Sequence, residues 1–230
     1  MNKIRVISLL SVFFLGAFGA ISCNESQKTS GKEASYDAKV DEKSEGTQKT
    51  VLFFGDSMTA GYGVDQDEAF PALVQEKIDS LGMDYKVING GLSGETSASG
   101  LSRIDWFLEE KPDIFILELG GNDGLRGIKL SATKENLQSI IDKVREEYPA
   151  TKIILAGMQI PPNMGEKYTT DFKEIFPNLA EENDVVLIPF LLENVGGNPA
   201  LNQPDGIHPT AEGHKVVAET VWKYLQPVLR

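Results

Sequence analysis

The chain has 230 residues, 41% of them hydrophobic and 24% charged, and carries a formal net charge of -12. That composition suits one ordinary globular core with some sequence left over. The acidic balance argues against a nucleic-acid or anionic-membrane footprint, which needs clustered Lys and Arg, and the single cysteine excludes an intrachain disulfide and Cys-rich metal patterns.

Residues 1–22 have the shape of an export signal. Lys3 and Arg5 form a positive end, and Ile4 to Ile21 form an apolar stretch broken by Ser8, Ser11, Gly16 and Gly19. The stretch ends at Ala20-Ile21-Ser22-Cys23, which resembles the lipobox of bacterial lipoproteins, with Ala20 in place of the usual Leu. That resemblance implies cleavage before Cys23, lipidation of Cys23, and a place in the bacterial cell envelope as a periplasmic or outer-membrane lipoprotein. The competing readings are a plain signal peptide and a retained transmembrane helix. Residues 24–49 are nearly all polar, with Tyr36 the only aromatic and Val40 the only branched aliphatic. Such a segment cannot bury enough apolar area to offset its ordering entropy, so residues 23–49 read as a disordered tether and residues 50–230 as the folded domain.

From Thr50 onward, short apolar runs alternate with segments of helical period. The runs Val51–Phe54, Lys86–Ile88, Ile114–Leu119, Ile153–Ala156 and Val185–Ile188 read as buried strands. Apolar stripes at helical spacing lie between and after them: Phe70 to Leu81, Leu101 to Leu108, Leu137 to Val144, Phe172 to Leu179, and Val217 to Leu225. This alternation predicts an α/β fold, a three-layer α/β/α sandwich on a five-stranded parallel sheet. In such a sheet ligands bind beyond the carboxyl ends of the strands, so the turns that follow the strands carry the functional information.

The first such turn, Gly55-Asp56-Ser57-Met58-Thr59-Ala60-Gly61-Tyr62-Gly63, puts a serine where strand gives way to helix. Ser57 there is a candidate nucleophile, or else an N-cap or phosphate-holding residue. Neither a Walker loop nor a Gly-x-Ser-x-Gly elbow is present. Near the end, Asp205-Gly206-Ile207-His208-Pro209 offers a base and a carboxylate three residues apart, able to activate a hydroxyl and to fix the imidazole tautomer. The other histidine, His214, lies inside a predicted helix and reads as a surface or structural residue. Donors for a developing oxyanion could come from Asn89-Gly90-Gly91-Leu92-Ser93-Gly94-Glu95-Thr96 after the second strand, or from Leu119-Gly120-Gly121-Asn122-Asp123-Gly124 after the third.

Taken together, the blocks GDSMTAGYG, NGGLSGETS, ELGGNDGLRG and DGIHP resemble the four signature blocks of the SGNH, or GDSL, hydrolases. Within that family they are most similar to the bacterial periplasmic members described as thioesterase, lysophospholipase and arylesterase. The resemblance covers nearly all of residues 50–229 and implies a flavodoxin-like SGNH fold. It implies Ser57, Asp205 and His208 as a triad, and the N–H groups of Ser57 and Gly94 with the Asn122 side chain as an oxyanion hole. Met158-Gln159-Ile160-Pro161 matches a segment beside the substrate pocket, so Met58, Met158, Ile160 and Pro161 are the expected substrate contacts. Glu95 stands where close relatives often have Asp, and Met58 replaces the Leu of the GDSL name; both are expected at the pocket rim.

The expected reaction is hydrolysis of an acyl ester, thioester or lysophospholipid through an acyl-enzyme, by a monomer, with no cofactor and no metal. Met58, Met158, Ile160 and Met164 tilt the expectation toward acyl chains, although Met is also an ordinary core filler. The alternatives are a carbohydrate-ester O-deacetylase, a non-catalytic ligand-binding surface lipoprotein, and a phosphate or nucleotide binder on the same sheet.

Overall fold

The computed structural model describes residues 48–229. The export signal, Cys23 and most of the tether lie outside the described residues. Five strands, β1 (Lys49–Gly55), β2 (Tyr85–Gly91), β3 (Ile114–Glu118), β4 (Lys152–Ala156) and β5 (Val186–Ile188), pair in parallel in the order β2-β1-β3-β4-β5. The helices are α1 (Ser57–Ala60), α2 (Phe70–Ser80), α3 (Ser97–Phe107), α4 (Gly121–Leu125), α5 (Leu130–Glu147), α6 (Glu166–Asn183) and α7 (Ala211–Leu225). Right-handed crossovers from a chain that starts at β1 and winds outward both ways put α2 and α7 on one face and α3, α5 and α6 on the other. This is the expected three-layer sandwich. Among the described residues no helix is long and apolar enough to cross a membrane.

The strand pleat divides the core between the two faces. Phe53 and Phe54 are adjacent, so their rings point to opposite sides of β1. Phe53 meets Phe70 of α2 edge-on at 5.5 Å, while Phe54 meets Phe107 of α3 at 5.4 Å and Phe115 of β3 at 5.7 Å. β1 and β3 are central and almost wholly buried. The strands at the two edges depart from the sequence reading. Lys86 and Asn89 of β2 and Val186 of β5 are exposed, because each edge strand has a neighbour on one side only. The Gln75 side chain blunts the β2 edge: its amide donates to the Tyr85 carbonyl at 3.1 Å and accepts from the Val87 N–H at 2.6 Å, occupying groups that could pair with another chain.

Winding reverses at β1, so the crevice outside the carboxyl ends of β1 and β3 is the topological switch point, where α/β sheets hold ligands. The turns after these strands carry Ser57 and Asn122.

Candidate active site

The turn that holds Ser57 is built from below. Register pairs Gly55 of β1 with Glu118 of β3, which brings the Glu118 carboxylate under the turn. Its Oε2 accepts from the Asp56 N–H at 3.2 Å, the Thr59 N–H at 3.3 Å and the Thr59 hydroxyl at 2.8 Å. A side chain at position 55 has no room, since its Cβ would fall 2.2 Å from Thr59 Oγ1 and 2.5 Å from Glu118 Oε2. Asp56 then caps α1 by accepting the Met58 N–H at 3.0 Å.

Two carboxyl groups in this support are pushed away from their ordinary protonation. Burial pushes Asp56 up to about 6, even though bonds from Met58 and Asn122 and the charge of His208 act against the rise. Burial, reinforced by the neighbouring Asp56 charge, pushes Glu118 well above the usual carboxylate range. Two buried carboxylates this close repel one another, so the pair favours a neutral Glu118 beneath an Asp56 that ionises near neutrality.

Above the turn, residues far apart in sequence converge. His208 Nε2 lies 2.9 Å from Ser57 Oγ, and His208 Nδ1 lies 2.6 Å from Asp205 Oδ2. The other oxygen, Asp205 Oδ1, accepts from the Ile207 N–H at 2.9 Å and the His208 N–H at 3.0 Å, so the carboxylate organises its own loop. Partial burial alone would raise Asp205, but the His208 side-chain bond, the two backbone bonds and the His208 charge outweigh it and hold it at about 2. The Tyr62 ring lies against the His208 ring, with centroids 4.6 Å apart.

Two of the expected oxyanion donors lie on the turns after β2 and β3. Gly94 sits at φ +81°, a conformation that favours glycine, at the turn that ends in α3. Asn122 donates its amide to Asp56 Oδ2 and to the Glu95 carbonyl, both at 3.0 Å, so in the resting site both amide hydrogens are engaged. Arg126 holds the outer side of this arrangement, donating to the Gly94 carbonyl at 3.0 Å and toward Asn122 Oδ1 at 3.4 Å.

Glu95 and Met58 are both buried, so neither side chain forms an exposed rim. The Glu95 carboxylate turns inward to a paired Arg103, whose Nε bond measures 2.5 Å and whose guanidinium also donates to the Gly90 carbonyl at 2.7 Å and the Gly55 carbonyl at 3.2 Å. Arg103 lies over the rings of Phe54 and Phe107 at 4.2 and 4.9 Å. One cation thus ties the ends of β1 and β2 to the Gly94 turn. Met158 and Ile160 are buried beside α4, and Pro161 is exposed where the chain leaves the sheet. A surface groove against Leu52, Ile88, Trp106 and Phe107 contains none of the triad residues and lies toward the amino ends of the strands. His214 is buried in α7, accepts the Phe70 N–H on Nδ1 at 3.2 Å, and belongs to the structure rather than the surface. The motifs gave no role to Glu118, Arg103, Arg126 or Gln203, although Glu118 and Arg126 both lie within the ELGGNDGLRG block.

A doubly wound sheet with serine, imidazole and carboxylate in line at its switch point defines the class of carboxylic ester hydrolases that work through a serine. The chain belongs to the GDSL-like Lipase/Acylhydrolase family, which it matches over residues 53–216. It is 42% identical to "Esterase TesA" of Pseudomonas aeruginosa over 79% of this chain and 90% of that one. It is 38% identical to "Thioesterase 1/protease 1/lysophospholipase L1" of Escherichia coli over 78% and 85% of the two chains, and 37% identical to "Arylesterase" of Vibrio mimicus over 74% and 85%. The crystal structure of TesA superposes with a TM-score of 0.76 and 42% identity, covering 79% of this chain and all of that one. The protein is an ester hydrolase of the SGNH type.

Proposed function

We propose that Ser57, Asp205 and His208 are the catalytic triad of an exported, lipid-anchored acyl-ester hydrolase. The observation that carries this reading is the unbroken line from Asp205 Oδ2 through His208 to Ser57 Oγ, at 2.6 and 2.9 Å. His208 Nε2 takes the Ser57 proton as Oγ bonds to the ester carbonyl carbon, and the carbonyl electron pair moves onto oxygen. Asp205 fixes the tautomer and stabilises the imidazolium. The N–H groups of Ser57 and Gly94 and the Asn122 amide receive the oxyanion, with one Asn122 hydrogen turning from the Glu95 carbonyl to the substrate. The intermediate collapses, His208 returns its proton to the leaving alcohol or thiol, and a water activated by the same imidazole hydrolyses the acyl-enzyme. Acyl chains longer than acetyl are favoured by the thioesterase and lysophospholipase activities named for one relative.

Cys23 carries the lipid in this reading, and residues 24–49 hold the monomeric domain off a bacterial envelope membrane. Labelling by an organophosphonate tests the nucleophile: the adduct maps to Ser57 in the wild type and disappears in Ser57→Ala, and an adduct on another serine would reject the assignment. Incorporation of labelled palmitate that is lost in Cys23→Ser tests the anchor, and equal labelling of both would reject it.

A further inference from the structure

The segment that carries the base is rigid within itself. The Thr210 N–H bonds the Leu201 carbonyl at 2.9 Å and the Gln203 N–H bonds the His208 carbonyl at 2.7 Å, giving a small hairpin with Asp205 at its turn. Asn202 anchors this hairpin by donating to the carbonyls of Val195 at 2.6 Å and Asn198 at 2.8 Å. The Asp205–His208 pair is therefore internal to one unit, whereas Ser57 belongs to another, the turn between β1 and α2. Catalysis needs the two units held at one separation, because the proton must cross the 2.9 Å between Oγ and Nε2.

From these observations we infer that Gln203 is a positioning residue that sets the distance between nucleophile and base by bracing the His208 hairpin against the Ser57 turn. This inference rests on the triad proposed above. The Gln203 amide spends one hydrogen on the Tyr62 carbonyl at 2.6 Å, on the nucleophile turn, and the other on the Pro209 carbonyl at 2.9 Å, on the hairpin. A single planar amide thus fixes two backbone oxygens, one on each unit. The fit is close on the side of the nucleophile turn, where a Cβ added at Gly63 would fall 2.3 Å from Gln203 Oε1. The Tyr62 carbonyl is held by Gln203 while the ring of the same residue covers His208, so the brace also seats the aromatic wall of the imidazole.

The brace predicts an unusual kinetic signature. Asp205 and His208 move together when it is cut, so in a variant that adds no charge the pH midpoint of kcat/KM stays where it is while its plateau falls. Gln203→Met keeps the length of the side chain and removes both donors; Gln203→Glu keeps the shape and sets a carboxylate against two carbonyl oxygens. Both variants are expected to lose about tenfold or more in kcat and in the rate of Ser57 phosphonylation, since a shift of about an ångström in a reacting pair is costly. KM for a short aryl ester should stay within about twofold, because no substrate contact is removed. Circular dichroism and the stoichiometry of phosphonate uptake count the folded, competent molecules, so the loss is read per active site.

Unchanged kcat per active site in both variants, with only a lower melting temperature, would overturn the inference and leave Gln203 as a stabilising loop residue. A shifted pH midpoint in Gln203→Met, which adds no charge, would also overturn it, by showing that Gln203 acts within the Asp205–His208 pair. Ser57→Ala runs alongside: if that variant retains turnover, the triad and the brace both fall, whereas a dead Ser57→Ala beside fully active Gln203 variants removes the brace alone.

Discussion

Replacing Asn122 by Ala separates two jobs that the proposed mechanism gives to one amide. In the resting site its hydrogens go to Asp56 Oδ2 and the Glu95 carbonyl, both at 3.0 Å. In the transition state one of them is assigned to the oxyanion. Loss of one preorganised oxyanion donor is worth about 3 to 4 kcal/mol of barrier, or about a hundred- to a thousandfold in kcat. Loss of the bond to Asp56 acts on stability instead, by about 2 kcal/mol when that buried carboxylate is ionised. The sign of its pH dependence follows from the raised Asp56, which titrates at about 6 in the fold. Without Asn122, one of the groups that favour the ionised form is gone and Asp56 rises further. The stability deficit is then fully present above that range and shrinks as pH falls and Asp56 becomes neutral. Steady-state kinetics on a short aryl ester at about pH 8, with urea midpoints at about pH 7.5 and 5, read both effects. A kcat within about threefold of wild type, or a rise in KM with kcat unchanged, would refute the oxyanion role.

Glu118→Ala leaves the Asp56 and Thr59 N–H groups and the Thr59 hydroxyl without their acceptor, and is expected to cost about 3 to 5 kcal/mol by urea denaturation. Glu118→Gln keeps an acceptor in place of a carboxyl held neutral and should cost no more than about 1 to 2 kcal/mol; equal losses in the two would contradict a neutral Glu118. Burial, and then the charge of His208, depress His214 to about 4. A base depressed in the fold takes stability away as pH falls from its unfolded value toward about 4, while the raised Asp56 adds stability as pH falls through about 6. His214→Gln, whose amide oxygen can still accept the Phe70 N–H, should therefore gain stability relative to wild type on going from about pH 7.5 to 5, and parallel urea midpoints would contradict the assignment. Gly55→Ala forces a methyl into the Thr59 and Glu118 contacts and should cost more than about 3 kcal/mol, seen as lost soluble yield or a collapsed melting temperature.

The candidate residues at the strand ends were legible because a parallel sheet collects the turns after its strands at one edge, and those turns carry Ser57, Gly94 and Asn122. Asp205 and His208 were legible as a pair because their spacing is local. Their support was not. Glu118 reaches Asp56 through the Gly55–Glu118 register, which a reading of apolar runs does not supply. Arg103 reads in sequence as one charged residue on a helix, and only the packing of α3 carries its guanidinium to Glu95 and to the ends of β1 and β2. Helices α1 and α4 span 4 and 5 residues, too short for a helical period to repeat, and they follow from the caps and turns instead. The full-burial reading of β2 failed because apolar content marks a strand without marking whether it has one neighbour or two.

The most direct test of the central assignment is hydrolysis of an ester series from acetyl to palmitoyl by the wild-type protein and by Ser57→Ala. Wild-type turnover should be greatest beyond acetyl and be abolished, with folding intact, in Ser57→Ala. Turnover retained in Ser57→Ala would contradict the triad, and activity confined to acetyl esters would contradict the acyl-chain preference.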